Sequence, residues 1–290
     1  MRQDRDNNLQ FGDFAPEFRD AATAQVVLLP VPYDGTSTWV KGSDKGPAAI
    51  LETSYNLEFY DVETDSEVFR KGIYTDAAIE GLSSPEEVAV AVHKTVGYWL
   101  DKGRFPVLLG GEHSVSIGAF RAMAERYKNL TILQLDAHSD LRPTYEGSPC
   151  NHACVMARAK ELCPIVQVGI RSMDTVEKPN MDKSRVFFAH QLYDRPRSEW
   201  IQQAVSLLTD NVYLTIDLDV FDPAILPATG TPEPGGLNWY DAIDLVKALC
   251  KAKKLVGFDV VELCPHESHW GSNFFAAKLI YKILTTRFCG

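Results

Sequence analysis

No stretch of this 290-residue chain stays apolar for the about 18 residues that a membrane-spanning helix needs. Its first twenty residues, Met1 to Asp20, are polar and mixed in charge. They lack the apolar core of a secretion signal, and a peripheral segment is expected there. Cysteine is scarce and shows no C-x-x-C pair: Cys150, Cys154, Cys163, Cys250, Cys264 and Cys289 are scattered, several inside apolar runs. That spacing argues against a disulfide scaffold and points to buried thiols in a reducing cytoplasm, rather than to a Cys150–Cys154 metal pair. Positive charge is also short, with 29 Lys and Arg against 39 Asp and Glu, a net charge of −10. A protein that tracks nucleic-acid phosphates needs the opposite sign. An acidic surface instead concentrates cations and suits a cationic substrate or a metal. Internal repeats, low-complexity tracts and linkers are missing too, so residues 1–290 read as a single domain.

What is present is a large apolar fraction, 45%, enough for a sizeable core. Strand-length runs rich in Val, Ile and Leu recur at Val26–Pro30, Gly72–Thr75, Pro106–Leu109, Thr131–Leu135, Ile165–Val168, Val186–Ala189, Val212–Ile216 and Leu255–Val260. Several are apolar at consecutive positions, as in parallel strands covered on both faces. Amphipathic stretches separate them, at Ser84–Leu100, Ser116–Tyr127, Ser198–Leu208, Asn238–Ala252 and Phe274–Leu284. The first opens with Ser-Ser-Pro-Glu-Glu, a helix-start signature. Alternating strand and helix predict an α/β fold, a three-layer α/β/α sandwich on a mainly parallel sheet. Pro30–Pro32, Gly42–Pro47 and Pro223–Gly236 read as loops, the last long enough to line a site.

In such sheets ligands bind beyond the carboxyl ends of the strands. Gly110-Gly111-Glu112-His113-Ser114 follows the third run, and His113 there is either a core histidine or a ligand. Asp136-Ala137-His138-Ser139-Asp140 follows the fourth, with oxygen, nitrogen and oxygen donors at alternate positions. Extended backbone would turn all three to one side, while a solvated turn is the bland alternative. Asp217-Leu218-Asp219 follows the seventh with the same alternation, and Asp222 before Pro223 reads as a turn residue. Together His113, Asp136, His138, Asp140, Asp217 and Asp219 make a hard oxygen and nitrogen set without thiolate. That set suits manganese better than zinc or copper. Six groups exceed what one catalytic ion with an open position needs, and fit two ions sharing carboxylates and a water.

These three motifs, in this order and spacing, resemble the ureohydrolase family of arginases and agmatinases. The loop Ala228–Leu237, Val261-Glu262 and Pro32-Tyr33-Asp34-Gly35-Thr36 with Gly46-Pro47 extend the match from about Leu28 to Leu284. The resemblance implies an eight-stranded, arginase-like sheet and two divalent ions per subunit. Manganese comes first, with nickel or cobalt as substitutes. It also implies a small cationic guanidino substrate and a trimer or hexamer of identical chains. Asp140 would take the water's proton, Glu262 would bind the guanidinium, His152 would protonate the leaving amine, and Thr231 would line the guanidinium pocket.

The substrate rests on variable loops. Leu141–Cys150 departs from the arginase pattern and is similar to that of agmatinases. Glu146, beside Tyr145, is the candidate for a distal ammonium, unless it pairs with Arg142. Agmatine, giving putrescine and urea, is the first expectation. N1-aminopropylagmatine follows, then guanidinobutyrate, arginine and formiminoglutamate. A non-catalytic metal-binding relative and a single-zinc amidohydrolase are the readings from other classes.

Overall fold

The computed structural model describes residues 9–290. Eight strands form one sheet in the order β2-β1-β3-β8-β7-β4-β5-β6. They are β1 (Val26–Val31), β2 (Ile73–Thr75), β3 (Phe105–Gly110), β4 (Leu130–Leu135), β5 (Ile165–Ile170), β6 (Val186–Phe188), β7 (Asn211–Asp217) and β8 (Lys254–Val261). Every pairing is parallel. Each sequence-predicted strand falls on one of these.

The continuous apolar runs follow from burial on two faces. In β1 all six residues are buried, yet they divide by parity. Val26 and Leu28 join one core, and Val27, Leu29 and Val31 join the other. The first core is closed by α1 (Gly46–Ser54), α5 (Ala189–Tyr193), α6 (Arg197–Ser206), α7 (Trp239–Ala252) and α8 (Trp270–Cys289). The second lies under α2 (Pro85–Asp101), α3 (Ser116–Arg126) and α4 (Val155–Leu162). The Ser-Ser-Pro-Glu-Glu signature acts at α2 as its chemistry predicts. The Ser84 hydroxyl accepts from Glu87 N–H, Pro85 occupies the first turn, and Glu87 answers by accepting from Ser83.

Three short helices escaped the sequence reading. α1 begins inside Gly42–Pro47, read as a loop. α4 and α5 are too brief for a 3.6-residue period to show. Residues 1–8 of the segment expected to be peripheral lie outside the described residues, and within residues 9–20 two aromatic side chains reach the core while Ala15, Pro16, Glu17 and Asp20 stay exposed. Phe11 is fully buried, its N–H donates to Thr75 Oγ1 at 3.0 Å, and Phe14 stacks on Phe69 at 4.8 Å. Aromatic rings held that way anchor a polar-looking segment to the core.

β3 and β4 are consecutive in the chain, but β8 and β7 are inserted between them. The four strands whose carboxyl ends carry the acidic motifs therefore lie side by side. No helix among the described residues is long and apolar enough to cross a membrane.

Candidate metal centre

After β3 the chain turns so tightly that Gly111 lies against the backbone of Tyr33, where any Cβ would collide. That turn delivers His113 into the sheet's carboxyl edge, 1% exposed. Its Nδ1 lies 3.1 Å from Asp140 Oδ2, 3.2 Å from Asp136 Oδ2 and 3.5 Å from Asp217 Oδ2. A second group forms beside it, with His138 Nδ1 2.8 Å from Asp219 Oδ2 and 3.7 Å from Asp136 Oδ1. Asp136 belongs to both groups and turns one oxygen toward each histidine. All six residues proposed as ligands from the sequence thus converge.

The route differs from simple strand alternation. Asp140 arrives with a left-handed backbone, φ 51°, and Asp219 sits in a 3-10 turn, its N–H donating to Asp217 Oδ1. Glu262, just past β8, is also left-handed at φ 64°. Such non-glycine conformations cost about 1–3 kcal/mol each and gather at functional sites.

Surrounding hydrogen bonds aim the donors. Gln134 Nε2 donates to Asp136 Oδ2 at 2.6 Å, and Ala137 N–H donates to Asp219 Oδ1 at 3.0 Å. Behind His113, Nε2 meets Thr215 Oγ1 at 2.8 Å, and Thr215 donates to Asp259 at 2.6 Å. A carboxylate, a hydroxyl and an imidazole in series is how proteins orient a ligating histidine.

Electrostatics shows what the cluster wants. Burial, with Asp140 and Asp219 nearby, pushes Asp136 up to about 7. Burial, then Asp219 and Asp136, lifts Asp217 well above the carboxylate range. Burial opposes ionisation of Asp219 as well, but His138 and the Ala137 N–H hold it down at about 2. Burial disfavours a charged His113, yet Asp136, Asp140 and Asp217 raise it well above the imidazole range. Its buried Nδ1, however, has no hydrogen-bond partner among the described residues. Too many acids share too little positive charge, and an aimed imidazole nitrogen lacks a partner. Divalent cations would meet both needs, so the residues present fit a metal centre.

The cluster forms the floor of a cavity of about 340 Å³. Glu262 lines it, its Oε1 accepting from His113 N–H at 2.8 Å, and burial followed by Glu112 raises its pKa well above the usual range. Thr231 lines it too, donating to Asp219 at 3.4 Å, and so does His152, edge-on to Tyr145 at 6.2 Å. Glu146 does not. It occupies an exposed left-handed turn position, φ 46°, closed by the Tyr145–Ser148 bridge. Arg142 pairs with Asp174 at 3.0 Å rather than with Glu146, and stacks over Tyr145. The acids in the cavity wall are instead Asp174 and Glu177, in the segment after β5. Sequence reasoning passed over them, although they close a strand end and carry capping-box spacing.

A model of the Arginase family matches residues 24–285. The chain belongs to the arginase family. Within this family, the "N(1)-aminopropylagmatine ureohydrolase" of Synechocystis sp. is 39% identical over 91% of this chain and 89% of its own length. A protein of the same name from Thermus thermophilus is 34% identical, covering 94% and 92%. Among solved structures, the agmatine ureohydrolase of Thermoplasma volcanium superposes with a TM-score of 0.86 at 32% identity, covering 97% of this chain and 94% of that one. This arginase-family chain is therefore a hydrolase on an arginase-like, eight-stranded parallel sheet.

Proposed function

We propose that this arginase-family hydrolase holds two manganese ions and splits N1-aminopropylagmatine into urea and a triamine. The observation that carries the reading is Asp136, whose two oxygens face two histidine-containing groups at the floor of an acid-lined cavity. His113, Asp136, Asp140 and Asp217 would hold one ion, and Asp136, His138 and Asp219 the other. Bound there, the ions supply a hydroxide nucleophile at neutral pH. Carboxylate and imidazole donors favour manganese, with nickel or cobalt able to substitute.

The chain's own groups orient the reaction. Glu262 fixes the guanidinium, one oxygen being anchored by His113 N–H. Thr231 lines the same end. Asp140 accepts the proton from the nucleophile, and His152 returns one to the leaving nitrogen. Asp174, in the cavity wall, suits a further cationic nitrogen, a role that Glu146 on its exposed turn is poorly placed to fill, while the buried Glu177 is occupied by Ser139, Leu141 and Asp174.

The sequence alone put agmatine first. The longer polyamine is preferred because more similar relatives bear its name and because Asp174 in the wall suits an amine beyond the guanidinium. The same reading includes one catalytic domain, a homo-oligomer of three or six chains, and a cytoplasmic setting in which the six free cysteines stay reduced. The test is urea release with manganese supplied, comparing N1-aminopropylagmatine, agmatine and arginine. We expect kcat/KM to be at least about tenfold higher for aminopropylagmatine, about 1.4 kcal/mol. Equal or reversed values would return agmatine to first place. Elemental analysis is expected to find two ions per chain.

A further inference from the structure

We infer that Arg171 is a positioning residue: its guanidinium clamps the proline-rich segment 230–234 onto the turn that carries Asp219, and so holds Thr231 at the cavity wall. The inference rests on the ureohydrolase reading for what Thr231 does there, but not for the clamp itself. Arg171 follows β5, and its own N–H donates to Ala137 O at 2.8 Å, between the proposed ligands Asp136 and His138. Its half-buried side chain then reaches two further segments. Nε donates to Glu233 O at 3.2 Å, and Nη2 donates to the same oxygen at 2.8 Å. Nη2 also donates to Asp219 O at 2.6 Å, while Nη1 donates to Gly169 O at 3.1 Å and to Val220 O at 3.3 Å.

Donor accounting shows why an arginine stands there. A guanidinium stays charged, offers five N–H donors in a rigid fork and has no acceptor. Here five bonds end on four carbonyl oxygens, from β5, the turn after β7 and the long loop, and none ends on a carboxylate. The direction of each bond is fixed, because arginine only donates and a backbone carbonyl only accepts. The loop needs such a donor. In Thr231-Pro232-Glu233-Pro234 the two prolines carry no N–H, so the segment is held through its carbonyls. Its flanks are pinned by the bridges of Thr229 to Leu263 and of Leu237 to Phe221. Among the described residues, the backbone of residues 230–234 has one hydrogen-bond partner, Arg171. Thr231 Oγ1 lies 3.4 Å from Asp219 Oδ2, and Glu233 Oε1 lies 4.0 Å from His138 Nε2. Contacts that long follow the position of the loop rather than set it. Without the fork, Thr231 loses its register with the cavity floor, while Asp136 and Asp219 keep the hydrogen bonds of Gln134 and Ala137.

The experiment measures 15N order parameters of the Thr231 and Glu233 amides in full-length, metal-free protein. Wild type is expected at about 0.85, the value of rigid backbone, and Arg171→Met below about 0.6 at these two amides with β4 and β7 unchanged. Arg171→Lys keeps the charge but loses the fork, and should loosen the same two amides. With manganese supplied, urea release from N1-aminopropylagmatine by Arg171→Lys should show KM raised about tenfold and kcat lowered by less than about threefold. A wild-type loop below about 0.6, or a loop that stays rigid in either variant, overturns the inference. So does loosening that spreads to β4 and β7, or a loosened loop with the wild-type KM. Wild type and Arg171→Lys decide the matter if Arg171→Met does not fold. The order parameters need no turnover, so a failure of the substrate reading stays distinguishable.

Discussion

Two groups of acids, one wholly buried and one reaching from the buried Asp61 to the surface, are compensated in opposite ways. At the sheet's carboxyl edge, Asp136, Asp140, Asp217 and Asp219 crowd two histidines. On the α7–α8 side, Asp61 bonds Lys282 Nζ at 2.7 and 3.0 Å, while Glu63 bonds Lys282 at 2.7 Å and also Lys247. The second group carries its own cations. Burial works against an ionised Asp61, but Lys282 and Thr64 hold its pKa below the ordinary value. The first group has only two histidines for four acids, and Asp136 and Asp217 are pushed upward. Opposite shifts distinguish a structural ion pair from a site that awaits charge from outside.

Breaking each group should therefore break a different property. The largest effect is expected from Asp136→Asn, which removes the carboxylate common to both halves of the centre. Urea release should fall by about a thousandfold or more, some 4 kcal/mol, with metal content lost and circular dichroism unchanged. Activity within tenfold of wild type would remove Asp136 from the bridging position. Lys282→Met should do the reverse. It strands Asp61, whose side chain is 7% exposed, and should cost about 3 kcal/mol in denaturant unfolding while leaving kcat alone.

A smaller effect separates the two groups by pH. Asp61, with its lowered pKa, adds stability above the ordinary carboxylate range and loses it as pH falls through the lowered value. Burial disfavours a charged Lys282, but Asp61 and Glu63 raise its pKa, so its share persists until pH rises through the raised value. Asp136, raised to about 7, acts with the other sign. It penalises the metal-free fold at alkaline pH and is relieved as pH falls through that value. Metal-free protein should gain about 1 kcal/mol between about pH 8 and about pH 6. Metal-loaded protein should lose stability over the same span, because acid displaces the ions. Parallel slopes in a chelator-titrated melting series would contradict this. The smallest effect is expected at the cavity mouth. Glu146→Ala should change kcat/KM by less than about twofold, while Asp174→Asn should lower it about tenfold for the longer polyamine. A larger loss from Glu146 would restore it as the amine-binding acid.

Much of this was present in local sequence. Apolar runs at consecutive positions determine eight strands buried on both faces, and Gly110-Gly111, Asp136 to Asp140 and Asp217 to Asp219 stand where those strands end. The residue types alone point to metal chemistry. Short helices such as α4 left no such trace, and Phe11 and Phe14 looked like part of a polar tail until their packing was seen. Only the tertiary structure decided which acids meet. With β8 and β7 between β3 and β4, it set His113 against Asp140 and gave each oxygen of Asp136 a different histidine. It turned Glu146 outward, brought Asp174 in, and placed Thr36 on His152 across 116 residues. Periodicity is a property of neighbours along the chain, whereas a site is made by loops whose approach depends on strand order. No local pattern encodes that order.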